Sequence, residues 1–230
     1  MKKNGFTLAE VLITLTIIGV IATMTLPALM TNTQEQQAKT ALKKGLNTLT
    51  EAAQLSQAID GIDYASISTN NTTNPDIQAS PSLYAMLVTR TQVDLRRSGS
   101  GKLKSMAGST DNGASNYAVF FRDGTALIYS PDAANGLATN AATVQTDGLP
   151  YGIPVIFDTN GAKGPNIMSN CTGKVNGEVE ASTGKDDGTL TSLNARCNSS
   201  NRVIKDQFPV RLRAGYAVPN SSAARWAFEN

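Results

Sequence analysis

Histidine is absent from this chain. With it goes the commonest general base and the commonest transition-metal ligand. No Ser-His-Asp or Cys-His catalytic arrangement can be built from these residues. Charge is also scarce: 17% of the 230 residues are Asp, Glu, Lys or Arg, and the formal net charge is +2. That balance gives no footing for a nucleic-acid or acidic-substrate partner. Arg96 and Arg97, with Lys102 and Lys104, form a basic patch too sparse for a DNA surface. Tryptophan occurs once, at Trp226 near the end of the sequence, where it reads as a packing residue that anchors the segment.

Cysteine occurs twice, at Cys171 and Cys197. Two unrelated buried thiols would satisfy the sequence. A single disulfide would instead close a polar, glycine-rich loop outside the cytoplasm, worth roughly 3–4 kcal/mol in the chain-entropy description. What the chain has in plenty is Gly, Asn, Ser and Thr, which suits an exported β-rich protein with long polar loops.

The one long apolar run lies near the start. Val11 to Met30 carries no charge, and as a helix it would span ~30 Å, about the hydrocarbon thickness of a bilayer. Lys2 and Lys3 precede it while Lys39, Lys43 and Lys44 follow, so charge does not fix its orientation. Glu10 stands directly before the run, where a carboxylate is costly unless a cation partners it. From Thr31 to about residue 60 the pattern turns amphipathic. Leu42, Leu46, Leu49 and Ala53 recur at helical spacing, while Lys39, Lys43, Thr50 and Gln54 fall on other faces. Asp60-Gly61 supplies the stop. Joined, the two segments make one helix of ~80 Å, with an apolar stripe in its second half for a soluble domain.

Residues 62–80 read as loop, and residues 80–97 as a short helix capped by Ser80 or Ser82, with Leu83, Leu87 and Val88 facing inward. Strand signals follow. YAVFFRDGTALIYS, residues 117–130, is a hairpin around Asp123-Gly124. IPVIFDTNGAKG, residues 153–164, is a strand entering a glycine turn, and FPVRLRAGYAV, residues 208–218, is a second hairpin turning at Gly215. The expected fold is α+β: a long N-terminal helix packed on an antiparallel sheet of about four strands, with one sheet face buried.

The opening residues KKNGFTLAEVLITL resemble the leader and start of type IV prepilins and type II secretion pseudopilins. A short basic leader ends in Gly5, Phe6 follows, then Thr7-Leu8-Ala9-Glu10 and the apolar run. The resemblance implies cleavage between Gly5 and Phe6 by a prepilin peptidase, methylation of the new Phe6 amine, and pairing of Glu10 with that amine in a neighbouring subunit. Gly19 and Pro27 fall where many members carry a helix-loosening glycine and proline. The implied segments are a leader at 1–5, a membrane and polymerisation helix at 6–30, its amphipathic continuation at 31–60 and an extracytoplasmic β-rich domain at 61–230. The implied partners are the prepilin peptidase, other pilin or pseudopilin subunits, the inner membrane, and an assembly platform with its ATPase. The chain would be a single-pass inner-membrane protein with its globular part periplasmic or extracellular, and part of a surface filament after assembly. The work implied is mechanical, not enzymatic, and the length and loops lean towards a minor subunit.

An ordinary secretory signal cleaved near Val20-Ile21-Ala22, or a plain anchor on a binding protein or enzyme, would explain the run. Neither explains Glu10 or the Gly5-Phe6 junction. A second likeness lies in VIFDTNGAKGPN, residues 155–166, and in the later Lys205-Asp206-Gln207-Phe208. Many prepilin-like proteins carry a similar strand, D-x-N-G turn and K-G-P-N run, with a D-x-F strand downstream. Some pseudopilins bind calcium, which makes Asp158 and Asn160 candidate ligands. The EF-hand pattern is incomplete, however, and Asp and Asn at a tight turn commonly cap the backbone themselves. No cofactor is expected.

Overall fold

The computed structural model describes residues 7–70, 72–100, 117–129, 152–164, 166–171, 197 and 202–230. Helix α1 (Leu8–Asp60) is continuous over 53 residues. The chain divides into two units, Met1–Gln37 and Ala38–Asn230. In the first, every large apolar side chain described between Leu8 and Met30 is exposed.

In the second unit the helical stripe is buried as its spacing predicts. Leu42, Leu46, Leu49 and Ala53 are at most 1% exposed. Each leucine so removed from water is worth about 1.5–3 kcal/mol. Gly61, at φ +70°, ends the helix by donating to the Gln57 carbonyl, the left-handed glycine stop that Asp60-Gly61 suggested. Lys39 departs from expectation. It is buried, with its Nζ 3.8 Å from the centre of the Trp226 ring, and the Arg202 guanidinium lies at the same distance from that ring. Two cations on one indole join α1, the segment after Cys197 and the C-terminal helix α3 (Ser222–Glu229). Trp226 is thus a packing residue, as the sequence suggests, and a cation clamp as well.

Helix α2 (Leu83–Arg90) is shorter than expected. Ser82 is the cap, its hydroxyl accepting from the Ala85 amide, and Leu83 and Leu87 are buried. The helix stops at Thr91 because the next residues pair with the sheet: Val93 bridges Phe121, and the Asp94 amide bonds the Phe120 carbonyl.

Among the described residues the sheet has six antiparallel strands in chain order: β1 (Gly99–Ser100), β2 (Tyr117–Phe120), β3 (Ala126–Tyr129), β4 (Ile153–Asp158), β5 (Gln207–Arg213) and β6 (Tyr216–Pro219). The two expected hairpins supply four strands and residues 153–158 a fifth, and the count exceeds about four further because β1, with no strand propensity of its own, is recruited by β2. The β2–β3 hairpin closes at Asp123-Gly124, with Gly124 at φ +96° and Asp123 Oδ1 accepting from the Thr125 amide. In the β5–β6 hairpin the left-handed residue is Ala214, at φ +30°, not Gly215.

One sheet face, carrying Tyr117, Val119, Leu127, Val155, Phe157, Phe208, Val210 and Leu212, joins the α1 stripe in the main core. The other face is also apolar and buried at Ala118, Phe120, Ala126 and Ile128. The single-faced sheet is therefore corrected. The near-continuous apolar runs AVFF and ALIY carry no alternation, which is how a strand covered on both sides reads. Along the β6 edge the Ala217 amide donates to Thr50 Oγ1 at 3.1 Å, and Pro219 has no N–H to offer. The edge is thereby poor in donors for a foreign strand.

Candidate functional site

The N-terminal segment is the first candidate. Gly5 and Phe6 lie outside the described residues. From Thr7 onward the geometry is clear. Glu10 Oε2 accepts from the Thr7 amide and the Thr7 hydroxyl, both at 2.8 Å, and Thr7 Oγ1 in turn accepts from the Glu10 amide. This reciprocal pattern is a capping box, in which T-x-x-E satisfies donors that the helix start leaves free. Glu10 therefore has a local task that the opening sequence already spelled out.

Leu8–Leu26 forms a helix segment long and apolar enough to cross a membrane, with mean hydropathy 2.0. Its threonines do not oppose this. Thr14, Thr16, Thr23 and Thr25 each donate to a carbonyl three or four residues back, at 2.8–3.0 Å, so their hydroxyls are satisfied within the helix. A Cβ built on Gly19 would meet nothing within 4 Å, so packing inside this chain does not require the glycine. The helix runs through Pro27 without interruption.

The second candidate is the turn after β4, and here the structure joins two stretches that the sequence holds far apart. Asp158 Oδ1 accepts from the amides of Asn160 (3.1 Å) and Gly161 (2.7 Å), and Oδ2 accepts from Gln207 Nε2 (2.9 Å). Asp206 Oδ2 accepts from the Asn166 amide (2.6 Å) and Asn160 Nδ2 (3.0 Å), and Oδ1 from the Ile167 amide (2.7 Å). Gly161 stands at φ +62°, and a Cβ there would lie 2.4 Å from the Gly124 carbonyl oxygen. Each aspartate thus pins one arm of the D-T-N-G-A-K-G-P-N loop. As the residues stand they form a pair of backbone caps, with every carboxylate oxygen engaged by an N–H donor. Asn160 Oδ1 is buried and accepts no bond. Among the described residues no cluster of three or more His, Cys, Asp or Glu side chains is placed to hold a metal.

Burial raises the Asp158 carboxyl from 3.8 to about 6, with the nearby Asp206 charge adding to the rise and the Gln207 and amide bonds opposing it. A folded-state pKa above the unfolded one means that folding takes up a proton. The resulting stability is fully present below about pH 4 and is lost as the pH rises through about 6. The second unit should therefore lose on the order of 2 kcal/mol between those limits from this group. Asp158→Asn, which keeps the Oδ1 acceptor, should flatten that slope in denaturant titrations run across the range.

The expected disulfide is present, joining Cys171 to Cys197 across a sequence separation of 26. Of the basic patch, Arg97 stacks its guanidinium 4.7 Å from the Phe120 ring centre, while Lys102 and Lys104 lie outside the described residues. Sequence reasoning missed the Thr7 partner of Glu10, although T-x-x-E was legible. It also missed the clamp on Trp226, for which no local signal exists.

Residues 1–26 match the family model described as the prokaryotic N-terminal methylation motif, the prepilin-type signature of type IV pilins and pseudopilins. No curated protein and no solved structure matches the chain.

Proposed function

We propose that the chain is a structural subunit, of the minor class, in a type IV pilus or type II secretion pseudopilus. It is made as a precursor, cut between Gly5 and Phe6 by a prepilin peptidase, methylated on Phe6, held in the inner membrane by the start of α1 and polymerised through that helix. The observation that carries this reading is one of register. Within residues 1–26, which match the motif, Glu10 is the fifth residue counted from Phe6 at the proposed junction, and it lies in the cap of an apolar, membrane-length helix. The Cys171–Cys197 disulfide supports an oxidising, extracytoplasmic setting for the second unit. A donor-poor β6 edge suits a subunit that assembles through its helix and not by strand addition.

The test is removal of the prepilin peptidase from the producing cell. The chain should then accumulate in the membrane as a precursor longer by residues 1–5 and vanish from the filaments sheared off the surface. A chain of unchanged length and fractionation would contradict the reading.

A further inference from the structure

A cleft of about 320 Å³ opens in the second unit between α1, the end of α2 and the β2–β3 hairpin. Its wall on α1 is Lys44, Gly45 and Thr48; Arg90 and Gln92 close one side, and Arg122 and Asp123 the other. Gly45 lets the Phe157 ring, which also lines the cleft, pack directly against α1, because a Cβ there would collide with that ring.

The polar groups of the cleft are unevenly used. Arg90 is neutralised by Asp60, and Lys44 Nζ holds Asp123 Oδ2 at 2.9 Å across the mouth. Asp123 Oδ1 is taken up by the Thr125 amide and hydroxyl. Among the described residues the side chains of Arg122, Thr48 and Gln92 make no bond at all. A guanidinium, a hydroxyl and a carboxamide, from the β2–β3 turn, α1 and the segment after α2, therefore line one concave site, Arg122 and Gln92 exposed to solvent and Thr48 half-buried. With Arg90 and Lys44 each matched by a carboxylate, the net charge left over is that of Arg122. Small-ligand sites are built in this way, from a few placed polar groups around a cavity of ~300 Å³ or more.

We propose that this cleft binds a single carboxylate flanked by hydroxyl groups, of the size of one sugar acid. Arg122 takes the carboxylate in a two-pronged ion pair, and Thr48 and Gln92 bond the hydroxyls. Phosphate monoesters, carrying nearly two charges, fit the net charge of the site less well. The acid has two sources, a free sugar acid or a uronate unit of an acidic polysaccharide.

The experiment is ligand-observed NMR on the full chain in detergent micelles, with D-glucuronate, a uronate oligomer and neutral D-glucose as probes. Saturable binding of glucuronate or the oligomer, with none of glucose, is expected. A gain in affinity from monomer to oligomer identifies a polysaccharide source, and equal affinity a free acid. Arg122→Ala should weaken the acid at least about tenfold. Arg96→Ala, at an exposed arginine outside the cleft, should leave it unchanged. Both are exposed positions, so neither change should disturb the fold. Absent saturation by both acids, equal binding of glucose, or indifference to Arg122→Ala would each overturn the proposal. Peptidase processing does not enter this readout, so its failure leaves the filament reading intact.

Discussion

Glu10→Gln should abolish incorporation into surface filaments while leaving membrane insertion intact. The substitution is informative because Glu10 carries two separable duties. As the fourth residue of T-x-x-E it closes the capping box with Thr7, and glutamine at that position still reaches back to the cap. As an anion it is the proposed partner of the Phe6 amine in a neighbouring subunit, and glutamine cannot supply that charge. Removing one member of a desolvated ion pair leaves the other uncompensated, at a cost of about 3–5 kcal/mol, equivalent to more than a hundredfold in assembly per contact. The Gln variant should appear in the membrane fraction at its ordinary level and be missing from sheared filaments. Glu10→Ala should lose the reciprocal bonds to Thr7 as well. If the Gln variant assembled normally, Glu10 would be a capping residue only.

Gly45→Ala should destabilise the second unit, against the helix-propensity gain of about 1 kcal/mol that alanine brings to a helix interior. The built Cβ lies 2.0 Å from Phe157 Cζ. Phe157 is 1% exposed and belongs with Val155, Phe208 and Leu49 to the main core, so the ring can yield only by repacking that core or by shifting into the cleft that it also lines. Overpacking of this kind costs typically 1–3 kcal/mol and can exceed it when neither side yields. The net loss should be about 2 kcal/mol, read as a fall in the denaturant midpoint. Shortening the opposing ring should relieve it, so Gly45→Ala with Phe157→Leu should be more stable than the sum of the two single changes predicts. Strict additivity would mean that helix and strand do not meet at this point.

Local chemistry was legible before any coordinates. The apolar run, the α1 stripe at Leu42, Leu46, Leu49 and Ala53, the Ser82 cap and the Asp123-Gly124 turn all follow from spacing and residue type within a few positions. Long-range pairing was not. Nothing near Asp206 says that its carboxylate will cap Asn166 and Ile167 from forty residues away, nor does anything near Lys39 announce the Trp226 ring. Helix α2 ended early because residues after Thr91 gain more from the sheet than from further helical turns, a tertiary override of local propensity. The second covered sheet face was visible as apolar runs without alternation, but hairpins imply antiparallel strands, which commonly leave one face wet.

The N-terminus of the chain recovered from cell membranes is the most direct measurement, made by mass spectrometry on the intact protein. A mature chain beginning at Phe6, with an added methyl group on its amine, is the expected result. A chain still beginning at Met1, or one beginning after Ala22, would contradict it.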